Sequence, residues 1–314
     1  MRRWRFSLVL VASVSVLGLP VPAGASSTPP PESFSFYVNT VSQSTLYNLG
    51  YLYGEGVDSG AFPQNSIVML EWGRPYCTSS TACGTYIYSS PSVYETTASE
   101  RAATEQFALG VWNGLYTDYT AVVGVAMGTS NYGSFISNST NAYNDGLAWS
   151  NMVTSGNNWF NSEGISSQLH MYGAIDAELN WDSPSATLSW GSGYDSVGTS
   201  NYYDIGDAAG CTGACNNGWT HANVNTIAWG DFEALAFPEI YANGDASDWA
   251  AINSTNPMLF VGALSQHQAC IDEGLSCTGT DNTPNQAWTD LYNAVGSSLG
   301  AFVSNIRYTL SVTK

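Results

Sequence analysis

The sequence predicts an α/β fold of the (β/α)8 TIM-type barrel class, and three observations lead to this prediction. Short apolar runs alternate with longer segments of helical periodicity. Several short runs, such as 121–127, are apolar on both faces, which is typical of parallel strands covered on both sides. Roughly eight such runs occur in about 280 residues, which suits a closed barrel. A doubly wound open sheet is the alternative, although no glycine-rich nucleotide motif follows an early strand.

The predicted elements follow one another along the chain. Strands are predicted at 34–39, 66–72, 121–127, 170–179, 235–242, 258–264 and 306–312, with an eighth near 202–205. Helices are predicted at 99–116, 141–160 and 285–303. In the first helix, Ala103, Phe107, Val111 and Leu115 recur at a spacing of four residues. Thr283 and Pro284 form a suitable start for the last helix.

The chain is predicted to be one barrel domain at 34–314, preceded by a signal peptide at 1–25 and a flexible lead at 26–33. Three arginines precede an apolar stretch at 6–19, and the small residues at 23–25 suit cleavage. An anchoring helix needs about 20 apolar residues, and this stretch is shorter. We therefore expect a secreted, extracellular monomer without membrane insertion.

Acidic residues dominate the charge of the chain. Seven Lys and Arg oppose 25 Asp and Glu, and three of the seven basic residues lie in the predicted signal. A surface of this charge repels nucleic-acid phosphates and anionic lipid headgroups. The composition therefore excludes nucleic-acid binding and basic-patch membrane docking, and it favours neutral or cationic partners.

The six cysteines fall into three close pairs, which are Cys77 with Cys83, Cys211 with Cys215, and Cys270 with Cys277. Six cysteines allow 15 pairings, and closeness in sequence favours the three local ones. Metal binding is the weaker interpretation, because no pair has the C-x-x-C spacing and the three histidines are far apart. We predict local disulfides that secure loops, with no metal and no cofactor.

The most informative stretch is 171–181. Read with the period of a strand, Tyr172, Ala174, Asp176, Glu178 and Asn180 share one face, while the opposite face is wholly apolar. In a barrel the polar face points inward, and its last residues reach the C-terminal mouth, where barrel enzymes hold their catalytic groups. Two neighbouring carboxyls cannot both ionise without cost, so one stays protonated and can act as a general acid. The alternative is a solvated strand end.

Other strands send side chains toward the same mouth. Glu71 ends one predicted strand, and Glu239 shares a face with Tyr241 on another. Trp72 and Trp181 each follow a predicted catalytic strand, and flat rings stack on the apolar faces of sugars. The alternatives are a solvated end for Glu71, an ion pair or helix cap for Glu239, and core packing for the aromatic residues.

Three short motifs occur at these predicted strands, and they are Ala174-Ile-Asp-Ala-Glu178, Pro238-Glu-Ile-Tyr-Ala-Asn243 and Ala263-Leu-Ser-Gln266. Together they resemble the motifs of secreted glycoside-hydrolase-like barrels related to family 25 lysozymes. The resemblance implies that Glu178 donates a proton and that Asp176 stabilises the reacting sugar or orients its acetamido group. The family opens with an Asp on its first strand, whereas the comparable stretch here ends in Asn39, which cannot serve as a base.

These observations lead to a functional expectation and two alternatives. We expect a secreted glycosidase that acts on a cell-wall or related polysaccharide, with Asp176, Glu178, Glu71 and Tyr241 as catalytic residues. The residues expected to bind substrate are Trp72, Trp181, Asn180, Glu239 and Gln266. The first alternative is a non-catalytic carbohydrate-binding or surface protein on a degenerate barrel. The second is a metal-assisted hydrolase built on the acidic loops around Asp204 and Asp207.

Overall fold

A computed structural model describes residues 27–89, 92–230, 232–277 and 281–309. The predicted signal at 1–25 and the end of the predicted strand 306–312 lie outside these residues. The described strands are β1 Ser33–Tyr37, β2 Asn65–Glu71, β3 Arg74–Ser79, β4 Ala82–Tyr86, β5 Tyr94–Thr96, β6 Val122–Ser130, β7 Leu169–Asp176, β8 Tyr202–Asp204, β9 Ala234–Ala236, β10 Phe260–Ser265 and β11 Leu299–Tyr308. Helices alternate with most of them: α1 Gln43–Asp58, α2 Thr97–Gly114, α3 Ser139–Glu163, α4 Pro184–Asp195, α5 His221–Ala228, α6 Asp245–Thr255, α7 His267–Asp272 and α8 Pro284–Val295.

Eight parallel strands close into a barrel, so the predicted fold class is confirmed. The order around the barrel is β1, β2, β6, β7, β8, β9, β10 and β11, and β11 pairs again with β1. Helices cover the outside, and the whole forms a single TIM-like domain. Parallel strands of this kind place their C-terminal ends at one rim, where loops of different strands meet.

The two faces of β7 enter two separate apolar layers. Tyr172 and Ala174 pack inside the barrel with Met69 of β2. Met171 and Ile175 pack on the outer side, in the layer shared with the helices. This is the alternation that the period of two predicts, so the inward face of β7 is confirmed.

The last predicted helix, 285–303, was wrong over its second half. Helix α8 begins at the predicted Thr283 cap, where Thr283 and Gln286 form a capping box, and it ends at Val295. Gly296 then adopts a positive φ of 61°, and β11 starts at Leu299, seven residues before the predicted strand at 306. The error has a simple origin, because Val295 and Leu299 continue a spacing of four residues that imitates a helix across the turn.

The predicted strand 235–242 is mostly irregular backbone. Strand β9 covers only Ala234–Ala236, and beyond it Glu239 forms an isolated parallel bridge with Leu264. Pro238 has no N–H to donate, which explains why regular pairing stops there. The predicted strand near 202–205 is confirmed as β8, and β1 starts at Ser33, one residue into the predicted lead.

Strands β3, β4 and β5 form a small antiparallel sheet that the sequence reading did not anticipate. The sheet is inserted between β2 and α2, so it leaves the barrel at the C-terminal rim. Cys77 and Cys83 face each other across β3 and β4 and are disulfide-bonded. The insertion is therefore a disulfide-linked sheet located at the barrel mouth.

All three predicted disulfides are confirmed. Cys77 pairs with Cys83, Cys211 with Cys215, and Cys270 with Cys277. Such bonds are compatible with an oxidising compartment outside the cytosol. Among the described residues, none of the helices combines the length and apolar character that crossing a bilayer requires.

Candidate active site

A hollow of about 420 Å³ opens at the C-terminal mouth of the barrel. Strand ends and the loops that follow them supply its walls, as expected for this fold. The polar and aromatic side chains that line it are Tyr37, Tyr88, Asp176, Glu178, Trp181, Glu239, Tyr241, Gln266, Glu273, Asp281 and Tyr308. Four predicted site residues therefore lie in this hollow, together with the predicted Trp181 and Gln266. The four are Asp176, Glu178, Glu239 and Tyr241.

Asn131 fixes the backbone that carries Asp176 and Glu178. Asp176 is the last residue of β7, and its carbonyl accepts a hydrogen bond of 3.0 Å from the Asn131 amide. The Asn131 side chain then accepts from the Glu178 N–H at 3.1 Å and donates to the Glu178 carbonyl at 3.0 Å. This clamp continues the strand-like alternation beyond the end of β7, so both carboxyls point to the hollow while Ala177 between them is buried on the other side.

Asp207 supports the same segment from the loop after β8. Its Oδ1 accepts a hydrogen bond of 3.0 Å from the Leu179 N–H. Leu179 is fully buried in the outer apolar layer, so this contact keeps the chain from twisting Glu178 out of the hollow. The sequence analysis placed Asp207 in a possible metal loop; in the structure its carboxyl holds the Leu179 backbone and lies within hydrogen-bonding reach of the Glu178 carboxyl.

Glu239 and Tyr241 reach the hollow from the irregular segment after β9. The Tyr241 hydroxyl donates a hydrogen bond of 2.6 Å to Glu239 Oε1. The Tyr37 hydroxyl lies within hydrogen-bonding reach of Tyr241. Glu239 is only 7% exposed, so its carboxyl depends on this donor rather than on water.

Three carboxyls form the centre of the hollow. One oxygen from each of Asp176, Glu178 and Glu239 lies within 4.8 Å of the other two. Asp176 is 5% exposed, and its Oδ1 has no hydrogen-bond partner among the described residues. Glu178 is the most accessible of the three. Solvent accessibility within the group therefore increases from the buried Asp176 to the more accessible Glu178.

Burial and neighbouring negative charges raise the pKa of every member of this group. Burial raises the pKa of Glu178 to about 8, and the neighbouring Asp207 charge adds to the effect. Burial also raises the pKa of Asp176 and of Glu239 well above the ordinary range, with the Glu178 charge adding to the effect at both. Carboxyls at this spacing share protons, as like charges in one site cannot all ionise. At neutral pH at least one of them is a neutral acid.

Glu71 lies beneath the hollow rather than on its wall. It is 1% exposed, and its Oε1 accepts a hydrogen bond of 3.3 Å from the Gly73 N–H. Its Oε2 has no partner among the described residues, and a Cβ at Gly128 would lie only 1.9 Å from that oxygen. Burial raises the pKa of Glu71 to about 8. Glu71 therefore does not line the hollow, and its charge raises the pKa of Asp176 only when Glu71 is ionised.

Two of the predicted substrate-binding residues are not brought to the hollow. Trp72 is fully buried in the layer between barrel and helices, because β2 has already turned its side chain outward at that position. Asn180 is exposed and accepts a hydrogen bond of 3.1 Å from Asn216 on the rim. Trp181, by contrast, is 39% exposed and stands edge-on to Tyr132, with ring centroids 5.2 Å apart.

An aromatic wall was missed by the sequence reading. The Tyr37 ring lies 4.8 Å from that of Tyr88 and 5.3 Å from that of Tyr308, measured between centroids. Tyr37 shares the inward face of β1 with Ser35, so the period of two could have identified it. Tyr88 lies within the unpredicted insertion, between β4 and β5, and no local sequence signal marks it.

The carboxyl group could also hold a hard cation. Asp176, Glu178 and Glu239 offer oxygens at a suitable mutual spacing, and oxygen ligands suit Mg²⁺ or Ca²⁺. A cation would need these carboxyls deprotonated, whereas their raised pKa values favour protons at neutral pH. In the acidic loop after β8, Asp204 contacts the backbone, because its Oδ1 accepts a hydrogen bond of 3.1 Å from the Gly206 N–H.

Comparison with family models, with curated proteins and with solved structures gave no match to this chain. The geometry of the hollow and the chemistry of its side chains are therefore what bears on function.

Proposed function

We propose that the protein is a glycoside hydrolase that cleaves a polysaccharide in the hollow at the barrel mouth. One observation carries the proposal: Asp176, Glu178 and Glu239 bring carboxyl oxygens within 4.8 Å of one another in a hollow walled by aromatic rings. Cleavage of an acetal needs one protonated carboxyl and one carboxylate on the same sugar. The raised pKa of Glu178, about 8, supplies the first of these at neutral pH.

Glu178 is assigned as the general acid. It is the most accessible of the three carboxyls and is held by Asn131 with its side chain toward the opening. Its proton passes to the glycosidic oxygen while the bond from that oxygen to the anomeric carbon breaks, and the leaving sugar departs as an alcohol. Water then adds to the anomeric carbon and returns a proton to Glu178. The cycle therefore consumes one water and leaves the enzyme unchanged.

Asp176 is assigned to stabilise the positive charge that develops on the reacting sugar, a role in which Asp176 is the ionised member of the proton-sharing group while Glu178 keeps the proton. It lies deepest, and its buried Oδ1 has no partner among the described residues, so no hydrogen bond offsets its charge at that oxygen. Glu239 is held by Tyr241. It influences how protons are shared between Asp176 and Glu178, and it can accept a hydrogen bond from a sugar hydroxyl. Electrostatic stabilisation of this type is usually the largest single contribution to catalysis.

The short separation of the carboxyls favours retention of anomeric configuration. Retaining glycosidases hold their two carboxyl groups about 5 to 5.5 Å apart, and inverting ones leave about 6.5 to 9.5 Å for a water. Here one oxygen of each carboxyl lies within 4.8 Å of one oxygen of each of the others, which leaves little room for a water between the groups. The proposal therefore includes net retention, which proton NMR of the first-formed sugar would report before mutarotation.

The resemblance to family 25 lysozymes is consistent with this assignment of Glu178 and Asp176, and one departure limits the transfer. Asn39 accepts a hydrogen bond of 2.6 Å from the Thr309 hydroxyl and does not line the hollow. No residue here takes the part of the family's first-strand Asp at this position. This observation favours a second candidate function, a barrel that binds glycans without cleaving them.

Hydrolysis assays separate the two functions. Wild type and Glu178→Gln are incubated with peptidoglycan, chitin and soluble plant polysaccharides, and new reducing ends are measured alongside binding. The proposal predicts cleavage of at least one glycan and a loss of about 100- to 10,000-fold in kcat for the variant, with binding retained. Equal activity of the two proteins would remove Glu178 as the acid. Binding without new reducing ends in wild type would establish the second function.

A further inference from the structure

A second hollow adjoins the first and extends it along the barrel mouth. Its volume is about 570 Å³, and Tyr88, Trp181 and Tyr308 line both hollows. The remaining walls come from Tyr132 and from the β3–β5 insertion, including Arg74 and Tyr86. A ligand chain that leaves the carboxyl group therefore passes between shared aromatic rings into a space built by the insertion.

Arg74 is the distinctive group in this second hollow. Its guanidinium lies over the Tyr86 ring, 4.6 Å from the centroid. Among the described residues Arg74 forms no ion pair, whereas Arg101 pairs with Glu105 and Arg307 with Asp272. Arg74 is exposed, and its planar guanidinium packs on the Tyr86 ring instead of pairing with a carboxylate. A guanidinium placed in this way is ready to bind a carboxylate in bidentate fashion.

We infer that the second hollow binds a neighbouring sugar unit that carries a carboxylate, with Arg74 as the group that recognises it. The inference deepens the proposed function and rests on it for the reaction in the first hollow. A neutral chain would need only the aromatic rings, so an unpaired cation in a chain with 25 acidic residues points to an anionic substituent. The overall acidity favours neutral or cationic partners, but charges more than about 8 Å away are screened at physiological salt, so the local Arg74 decides.

Pairs of glycans, one with a carboxylate and one without, test the inference. Two such pairs are used, so that the two sources of the carboxylate are distinguished. Oligogalacturonates carry it on the ring, and their carboxyl-reduced forms are neutral. Peptide-free peptidoglycan strands carry it on a lactyl ether, and chitooligosaccharides share their backbone without it. Affinity by calorimetry and kcat/KM are measured for wild type, Arg74→Gln and the control Arg101→Gln, whose arginine is ion-paired on α2.

In the supporting result, one carboxylated glycan binds wild type about 10- to 100-fold more tightly than its neutral counterpart, and Arg74→Gln abolishes that difference. Arg101→Gln behaves as wild type, and the neutral glycans bind all three proteins equally. No preference for either carboxylated form in wild type would overturn the inference, as would equal losses on both members of a pair. If wild type binds with the predicted preference and cleaves nothing, the hydrolase proposal fails while the binding inference stands.

Discussion

The clearest physical consequence of this fold is that its stability should fall as pH rises through neutrality. Glu100, on α2, tests this away from the hollow: it is fully buried and accepts hydrogen bonds of 3.0 and 2.6 Å from the Thr85 amide and hydroxyl. Burial raises the pKa of Glu100 to about 8, and the buried Asp145 adds to the effect. In the unfolded chain a glutamate titrates near 4.3. Between these two pH values the native state therefore keeps a proton that the unfolded state has released.

The sign and size of the effect follow from proton linkage. Because the native state binds more protons than the unfolded one, this contribution is complete below about pH 4 and is lost as pH rises toward about 8. Each pH unit in that window costs about 1.4 kcal/mol for one group. Glu100→Gln keeps the acceptor for Thr85 and removes the titration. Its free energy of unfolding should therefore gain roughly 3 kcal/mol on wild type between pH 5 and pH 7.5.

Urea unfolding of wild type, Glu100→Gln and the exposed control Glu163→Gln at several pH values measures this difference. At pH 5 we expect Glu100→Gln within about 1 kcal/mol of wild type, since a neutral amide replaces a neutral acid. The control should run parallel to wild type at every pH, because its carboxyl is exposed at the end of α3. A constant offset between Glu100→Gln and wild type from pH 5 to 7.5 would refute the linkage, and with it the reasoning that burial keeps these carboxyls protonated.

Three further predictions concern the hollow. Trp181→Ala should weaken glycan binding about 10-fold, measured by calorimetry, with little change in stability, because Trp181 lines the hollow and is partly exposed. Trp72→Ala should instead lower the free energy of unfolding in urea by about 3–5 kcal/mol, because Trp72 is fully buried. The reverse pattern would contradict the placement of the two residues. Tyr241→Phe removes the 2.6 Å donor that lowers the pKa of Glu239, so kcat should fall about 10-fold and be recovered in part at higher pH; an unchanged pH profile would contradict that contact. Excess chelator should leave hydrolysis unchanged, because protons rather than a cation balance the charge around Glu178; restoration by added Mg²⁺ or Ca²⁺ would show the opposite.

The barrel was predictable because its signals are local. Both-sided apolar runs marked the strands, and the period of two correctly separated Asp176 and Glu178 from the helix-facing side of β7. Trp72 could have been placed in the same way. The alternation that puts Ile67 and Met69 inside the barrel puts Trp72 on the opposite, helix-facing side, so its expected role in substrate binding ignored the period of its own strand.

Other parts of the site depend on contacts that are distant in sequence. Asn131 holds the Glu178 backbone across 47 residues, and Tyr88 meets Tyr37 only because the insertion folds over the mouth. The short β3–β5 sheet carries no long apolar run, and its paired cysteines were read as a loop staple rather than as facing strands. The sequence predicted that Asp176 and Glu178 share protons and that Glu239 lies at the same mouth, but only coordinates show that Glu239 belongs to the same close group of carboxyls.

The central claim is that Glu178 is a neutral acid in the hollow at neutral pH, and a direct titration tests it. Protein labelled with ¹³C at the glutamate side-chain carboxyls is followed by NMR from pH 4 to 9, and the Glu178 signal is assigned by its loss in Glu178→Gln. The account predicts a protonated Glu178 at pH 6 and a midpoint at about 8. A Glu178 carboxyl that is already ionised at pH 6, with a midpoint near the ordinary value of about 4.3, would contradict it.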